Sequence, residues 1–321
     1  MALPKCLQNT LRIPAIGAPL FIVSNPDLVI AQCKAGIVGA FPALNARPKE
    51  KLDDWLQKIN DDLDEYKSAN PSKPVAPYAV NQIVHRSNDR LHYDMELCVK
   101  YKVPIIITSL RPPEEVVSAV HSYGGVVFHD VINIRHAMKA IEQGVDGIIT
   151  VCAGAGGHCG SLSPFALVKE VRAIFDGTII LSGSITSGGD ILAAQAMGAD
   201  LAYIGTRFIS TKEANATNEH KQMIVDSVAN DIICTSLFTG VRGSYLKKSI
   251  TKVGLDPDNL EDKSKKSMNF SSEGADAVKA WRDILSAGQG VGNINDIPET
   301  KLLIEQLGKE YKKIKKQLLL I

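Results

Sequence analysis

Apolar and polar positions along this chain fall into two alternating kinds of block. Short runs rich in β-branched residues are each followed by a longer segment with apolar positions every three to four residues, the pairing expected of strand-then-helix units. The runs are Ile13 to Pro19, Ile37 to Pro42, Val75 to Ile83, Val103 to Leu110, Gly125 to Val131, Asp146 to Ala153, Thr178 to Ser184 and Leu201 to Phe208. After the second run, Leu52, Trp55, Leu56, Ile59, Leu63 and Tyr66 trace one face of a long helix. Gly36, Gly144 and Gly198 stand where helices should stop. Eight such units in about two hundred residues predict an α/β fold of the (β/α)8 TIM-barrel type, whereas open doubly wound sheets usually stop at five or six strands.

The rhythm breaks after the eighth run. Residues 1–210 are therefore expected to form the barrel core with its ligand site, and 211–321 an appended, mainly helical region. Within it the pattern predicts helix through Val225 and Val228, a strand-like Thr235 to Gly240, and a solvated face at Tyr245 to Lys248. A polar stretch from Asp256 to Gly274 reads as a loop, and Thr300 to Leu319 as a closing amphipathic helix packed on the barrel.

Composition narrows the class. Of 321 residues, 45% are hydrophobic and 22% charged, which indicates neither disorder nor a fibrous repeat. A net charge of +1 gives no electrostatic case for nucleic acid, and the lysines around Lys312 to Lys316 read as a solvated helical face. The six cysteines, Cys6, Cys33, Cys98, Cys152, Cys159 and Cys234, show no metal-ligand spacing and predict reduced thiols in a cytoplasmic protein. No signal core and no long apolar span appears, so no membrane partner is expected; a homodimer is left open.

The chemistry concentrates at the ends of the last three runs. Ser182-Gly183-Ser184 and Gly205-Thr206 close the seventh and eighth, where barrels most often hold a phosphate on backbone N–H groups; tight βα turns are the alternative. Gly188-Gly189, opening the next helix, adds to the phosphate case. The sixth run ends in Ala155-Gly156-Gly157-His158. A lone histidine is usually structural, but here the glycines remove bulk where a flat ligand could lie, and no other apolar-to-glycine boundary ends in a titratable group. His129 and Asp130, with Asn81, Thr108 and Ser109, read as ligand positioners across the barrel mouth or as hydrogen-bonded core edges. His85, His92, His121, His136 and His220 lack i, i+4 pairing among themselves and support no metal site. Cys152 and Cys159 flank the histidine loop and read as buried free thiols.

Ala155-Gly-Gly-His158, Ser182-Gly-Ser184, Gly198-Ala-Asp200, Gly205-Thr-Arg-Phe208 and Gly288-Gln-Gly290, in this order, resemble the nitronate monooxygenase family, formerly called 2-nitropropane dioxygenases. The resemblance implies an FMN-dependent barrel oxidoreductase that converts an alkyl nitronate or nitroalkane and O2 to a carbonyl compound and nitrite. It implies FMN phosphate at Gly183, Ser184, Gly205 and Thr206, and the isoalloxazine near Asn81, Ala155, Gly156, Gly157 and Gln289. Ser109, His129 and Ser182 complete that cofactor set, and His158 is the implied catalytic residue. Departures from many relatives are Gly154 for an acidic residue, Cys159 for a basic one, and His129-Asp130 where a lysine is often found, so the charge around His158 is lower. An FMN-dependent NAD(P)H:quinone or enoyl-thioester reductase is the alternative on the same fold, and a non-flavin barrel binding a phosphate ligand is a second.

Overall fold

Successive residues of a strand face opposite ways, and here both faces are buried. Ile105 and Ile107 join Phe128, Ile149 and Ile180 in one apolar cluster, while Ile106, Val127, Ile148 and Ile179 join a second that also holds the helix faces. The first cluster fills a barrel and the second lies between that barrel and its outer helices.

The computed structural model describes residues 3–260 and 282–319. Its barrel strands are β1 (Ala15–Gly17), β2 (Gly39–Pro42), β3 (Tyr78–Val84), β4 (Ile105–Leu110), β5 (Val126–Val131), β6 (Gly147–Val151), β8 (Thr178–Ser182) and β9 (Leu201–Ile204). They pair in parallel in the order β1-β9-β8-β6-β5-β4-β3-β2. A bridge from Ile16 to Val38 joins β1 to β2 and closes the ring, with Gly17 N–H donating to Val38 O at 2.8 Å. The expected barrel is thus present, each strand falling inside its apolar run except β3, which passes Ile83 by one residue. At the amino ends of the strands Leu7, from the short turn Lys5–Leu7, enters the interior cluster as a plug.

The closing helix, Thr300–Leu318, packs on the helices Pro26–Ala35 and Gly188–Ala196 and buries Leu303, Ile304 and Leu307. That contact reassigns Gly188. A Cβ there would strike the backbone of Leu307 and Tyr311, and Glu310 Oε2 accepts the Gly188 N–H at 2.9 Å. Asp190 and Ser187 complete a capping box on the same turn. The Gly188 and Asp190 N–H donors at this helix start are engaged within the protein, so Gly188 serves helix packing rather than a phosphate site.

The expected strand at Thr235 to Gly240 lies earlier and has partners. β10 (Ile232–Thr235) and β11 (Gly243–Leu246) form an antiparallel hairpin, and β11 pairs with β7 (Gly157–His158) in the loop after β6. Tyr245 is 0% exposed, so the solvated face expected at Tyr245 to Lys248 is wrong for its first half. Tyr245 and Leu246 are the buried end of β11, and the polar face starts only at Lys247, where a short helix begins. The aromatic and the leucine were the signal; the two lysines after them masked it. Of the polar stretch from Asp256 to Gly274, residues 261–274 lie outside the described residues.

Candidate functional site

A cavity of about 600 Å³ opens where the barrel strands end at their carboxyl termini, a volume ordinary for a small-molecule or cofactor pocket. The loops after β1, β2, β5, β6, β8 and β9 and the carboxyl ends of β3 and β4 contribute to its wall, and the segment from Leu285 to Gly290 closes one side. Of the residues singled out above, Asn81, Ser109, Ala155, Gly156, Gly157, His158, Ser182, Gly183, Ser184, Gly205 and Thr206 line it. His129 and Gln289 do not, although Gln289's neighbours Gly288 and Gly290 do.

Sequence-distant glycines build this end by packing on one another. Gln289 N–H donates to Gly154 O at 2.9 Å, Gly288 N–H to Thr206 Oγ1 at 2.8 Å, and Gly157 N–H to Ser286 Oγ at 2.7 Å. A Cβ on Gly156 would meet Gly288 N at 2.9 Å, and one on Gly288 would meet Gly154 O at 2.6 Å. Gly156 is therefore required by the chain crossing behind it rather than by a ligand. Gly157 differs: φ is +67 and no heavy atom lies within 4 Å of a notional Cβ, so its need for glycine is conformational and its open side faces the cavity.

His158 enters the cavity wall from β7. Its Nε2 lies 3.3 Å from Thr239 Oγ1, and that hydroxyl donates its own proton to Val241 O at 3.0 Å. That arrangement sets the Thr239 oxygen to accept from Nε2–H. The residue is only half-buried, yet its surroundings are protein walls, and that burial pushes its pKa down to about 4. It is neutral at pH 7 and able to accept a proton.

Across the mouth, strand periodicity separates two neighbours that the sequence presents as a pair. Phe128 points into the barrel, so Asp130 does too, whereas His129 turns outward. His129 is 3% exposed, its Nδ1 meets Thr108 Oγ1 at 2.8 Å, and burial pushes its pKa down to about 4. His129 and Thr108 thus take the core-edge alternative. Asp130 sits at the end of a chain in which Asn81 Nδ2 donates to Ser109 Oγ at 2.9 Å and Ser109 donates to Asp130 Oδ2 at 2.6 Å. Its other oxygen, Oδ1, is buried with no hydrogen-bond partner, and burial raises the carboxyl pKa to about 6. A buried acceptor left over at a cavity wall is what a ligand donor would satisfy.

Backbone strain gathers here as well. Ile22 (φ 68), Leu110 (φ 83) and Ser184 (φ 53) are left-handed residues other than glycine, and all three line the cavity. Each such conformation costs on the order of 1–3 kcal/mol and persists only where its surroundings over-determine it. For Ile22 the constraint is Asn45, whose Oδ1 accepts the Ile22 N–H at 2.8 Å while its Nδ2 donates to Leu20 O and Ser24 O.

Three wall residues were not expected at the site: Arg47, and His136 and His220, which the sequence offered only as histidines without metal-ligand spacing. His220 is buried, its Nε2 lies 3.3 Å from Ser286 O, and burial pushes its pKa down to about 4. Arg47 lies over the Phe21 ring at 5.5 Å, and His136 reaches the cavity from the helix after β5. None sits at a strand end, so strand-end reasoning had no signal for them. Among the described residues no cluster suited to a metal ion occurs, and no helix is long and apolar enough to cross a membrane.

The cavity fits a flavin-sized group on three counts: its volume, the small side chains at Gly183, Ser184, Gly205 and Thr206, and the open Gly157 beside His158. Over residues 10–310 the chain matches the family model described as nitronate monooxygenase. It is 25% identical over 287 residues to the probable nitronate monooxygenase of Bacillus subtilis (strain 168), covering 84% of this chain and 78% of that one. FabK from Thermotoga maritima superposes with a TM-score of 0.77 at 20% identity over 99% of both chains. Nitroalkane oxidase from Streptomyces ansochromogenes does so with a TM-score of 0.76 at 21% identity, over 98% of this chain and 100% of that one. At such identity the two superpositions speak to the fold alone.

Proposed function

The chain belongs to the nitronate monooxygenase family and is a flavin oxidoreductase, and from that premise we propose that it binds FMN and oxidises alkyl nitronates with O2 to carbonyl compounds and nitrite. The observation that carries this reading is the convergence of His158 and the loops after β8 and β9 on one cavity. In it, Gly183, Ser184, Gly205 and Thr206 receive the phosphate, and Asn81, Ser109 and the Ala155–Gly157 backbone border the ring system. Bound FMN supplies the redox chemistry that accepts electrons from the substrate.

The protein's own residues do the rest. A nitronate already carries its negative charge, so the site has only to orient the anion and exclude water. Neutral nitroalkanes need their α-proton removed first, and His158, neutral at pH 7 on the cavity wall, is the group placed to take it. The low pKa means that this base form persists well below pH 6.5.

Anaerobic mixing of the yellow protein with an alkyl nitronate, and separately with NADH, tests the reading. Bleaching by the nitronate, with nitrite released once oxygen is admitted and NADH inert, is the expected result. Rapid bleaching by NADH would instead favour the quinone or enoyl-thioester reductase. A colourless protein that takes up no added FMN would remove both.

A further inference from the structure

Directly after His158 lies a pair of thiols that the proposed chemistry does not use. Cys159 Sγ is 2.9 Å from Cys234 Sγ, although the two are 75 residues apart in sequence. Cys159 follows β7 and its N–H donates to Arg242 O at 3.1 Å; Cys234 lies in β10. The strands that carry them flank β11, so the sulfurs meet across the small sheet at the cavity edge. Cys159 is buried and Cys234 exposed, with Arg242 interacting electrostatically with the Cys234 sulfur. Cys6, Cys33, Cys98 and Cys152 are half-buried or buried elsewhere.

We propose that Cys159 and Cys234 form a reversible disulfide when the protein meets a hydroperoxide, and that this bond staples β10 to the segment carrying His158. The exposed sulfur reacts first. Cys234 sulfur attacks the peroxide, its S–O bond forms as O–O breaks, and one water leaves. Cys159 then attacks the sulfenic sulfur; S–S forms, S–O breaks, and the Cys159 proton departs with the oxygen as a second water. Two electrons from the thiols thereby reduce hydrogen peroxide to two waters. Burial pushes the Cys159 thiol up to about 11, so it is protonated at neutral pH and its proton leaves with the departing oxygen as it attacks. The bond ties Cys234 to the residue whose N–H already holds Arg242 O, so both ends of the 234–242 turn carrying Thr239, the partner of His158, are fastened to one point, which couples the redox state of the pair to the wall of the site.

The test treats the flavin-loaded full chain with dilute hydrogen peroxide, alkylates remaining thiols under denaturing conditions, and maps the peptides. A Cys159–Cys234 linked peptide in near-stoichiometric yield, lost on adding dithiothreitol, is the expected result. Cys234→Ser, at an exposed position, should yield no linked peptide, and Cys159→Ser should leave Cys234 to proceed to sulfinic acid. Tryptic cleavage after Arg242 should be several-fold slower in the oxidised protein and recover on reduction. Sulfinic acid at Cys234 in the unsubstituted chain with Cys159 still alkylatable, or linkage of two chains through Cys234, would overturn the pairing. An unchanged cleavage rate after Arg242 would overturn the staple.

Discussion

The barrel wall and the cap over its carboxyl end are built from opposite materials. In the wall, mostly apolar side chains, many of them β-branched, alternate between the barrel interior and the helix layer, and each strand pairs with the next around the ring. In the cap, glycines from the loop after β6 and from the 286–290 segment touch backbone to backbone across more than a hundred residues of sequence. The wall derives its stability from buried area, which is tolerant of where a ligand sits. The cap derives its shape from close approach, which sets the ligand's walls and contributes little to folding. Damage to the two should therefore separate into loss of fold and loss of site.

The largest effect belongs to the wall. Phe128→Ala empties a fully buried position inside the barrel and should destabilise the protein by about 3–5 kcal/mol, read as a shift in the urea midpoint, with flavin lost only as the fold is lost. Gly156→Val, its counterpart in the cap, pushes against Gly288 and Ala287 backbone and should empty the cavity of flavin while lowering the unfolding free energy by about 1–3 kcal/mol, less than the loss at Phe128. Equal losses of stability in the two variants would mean that cap and wall fold as one unit and that the contrast is false.

Legibility in the sequence follows the same division. The eight runs could be found because a strand buried on both faces must be largely apolar, a constraint that each run satisfies locally, with polar residues mostly toward the carboxyl ends of some. His158 was visible because it ends such a run. Asp130 was visible but tied to His129; only the inward direction of Phe128 on the same strand separates them. What the sequence hid depends on long-range meetings: Ser286 on Gly157, Glu310 on Gly188, Thr239 on His158. Tyr245 was hidden for another reason, since a strand of four residues followed by two lysines has too little periodicity to show its buried face.

Next in size is the chemistry in the cap. His158→Ala should retain flavin and lower turnover of neutral nitroalkanes by about a hundredfold, the usual worth of a positioned base, while turnover of preformed nitronates falls far less. Because the native pKa is about 4, the wild-type rate with nitroalkanes should hold as pH falls through 6.5 and decline only toward 4. A rate that halves near pH 6.5 would show that a more exposed group is the base.

Asp130 sharpens the contrast through stability rather than rate. Its carboxyl pKa is raised from 3.8 to about 6, so the native state holds a proton that the unfolded chain releases. Its contribution is fully present below pH 3.8 and is lost as pH rises through 6, which amounts to about 2 kcal/mol after allowance for relaxation. Asp130→Asn removes that penalty while keeping an acceptor for Ser109. Relative to wild type it should gain stability between pH 5 and pH 8, measured as the difference in urea midpoints at the two pH values. The histidines work in the other direction: His129 and His220, depressed from 6.5 to about 4, take stability away as pH falls through that window. The variant must therefore be compared with wild type at each pH, not across pH in one protein.

The smallest expected effect discriminates most finely, because it divides two glycines that play one part in the proposed phosphate site. Gly183 has φ 143 and a notional Cβ 2.9 Å from Ala153 O, so alanine there strains the protein whether or not a ligand is bound. Gly205 has φ −103, and its notional Cβ meets only Leu20 Cδ2 at 3.5 Å and Ala18 Cβ at 3.7 Å, ordinary contacts. Nothing within the protein demands glycine at this position. If an anionic phosphate approaches the backbone there, Gly205→Ala should leave the unfolding free energy of the flavin-free protein within about 0.5 kcal/mol of wild type. It should also weaken FMN about tenfold, with riboflavin, which lacks the phosphate, affected much less. Equal weakening of both ligands would move the phosphate away from the β9 turn and leave the β8 turn to hold it alone.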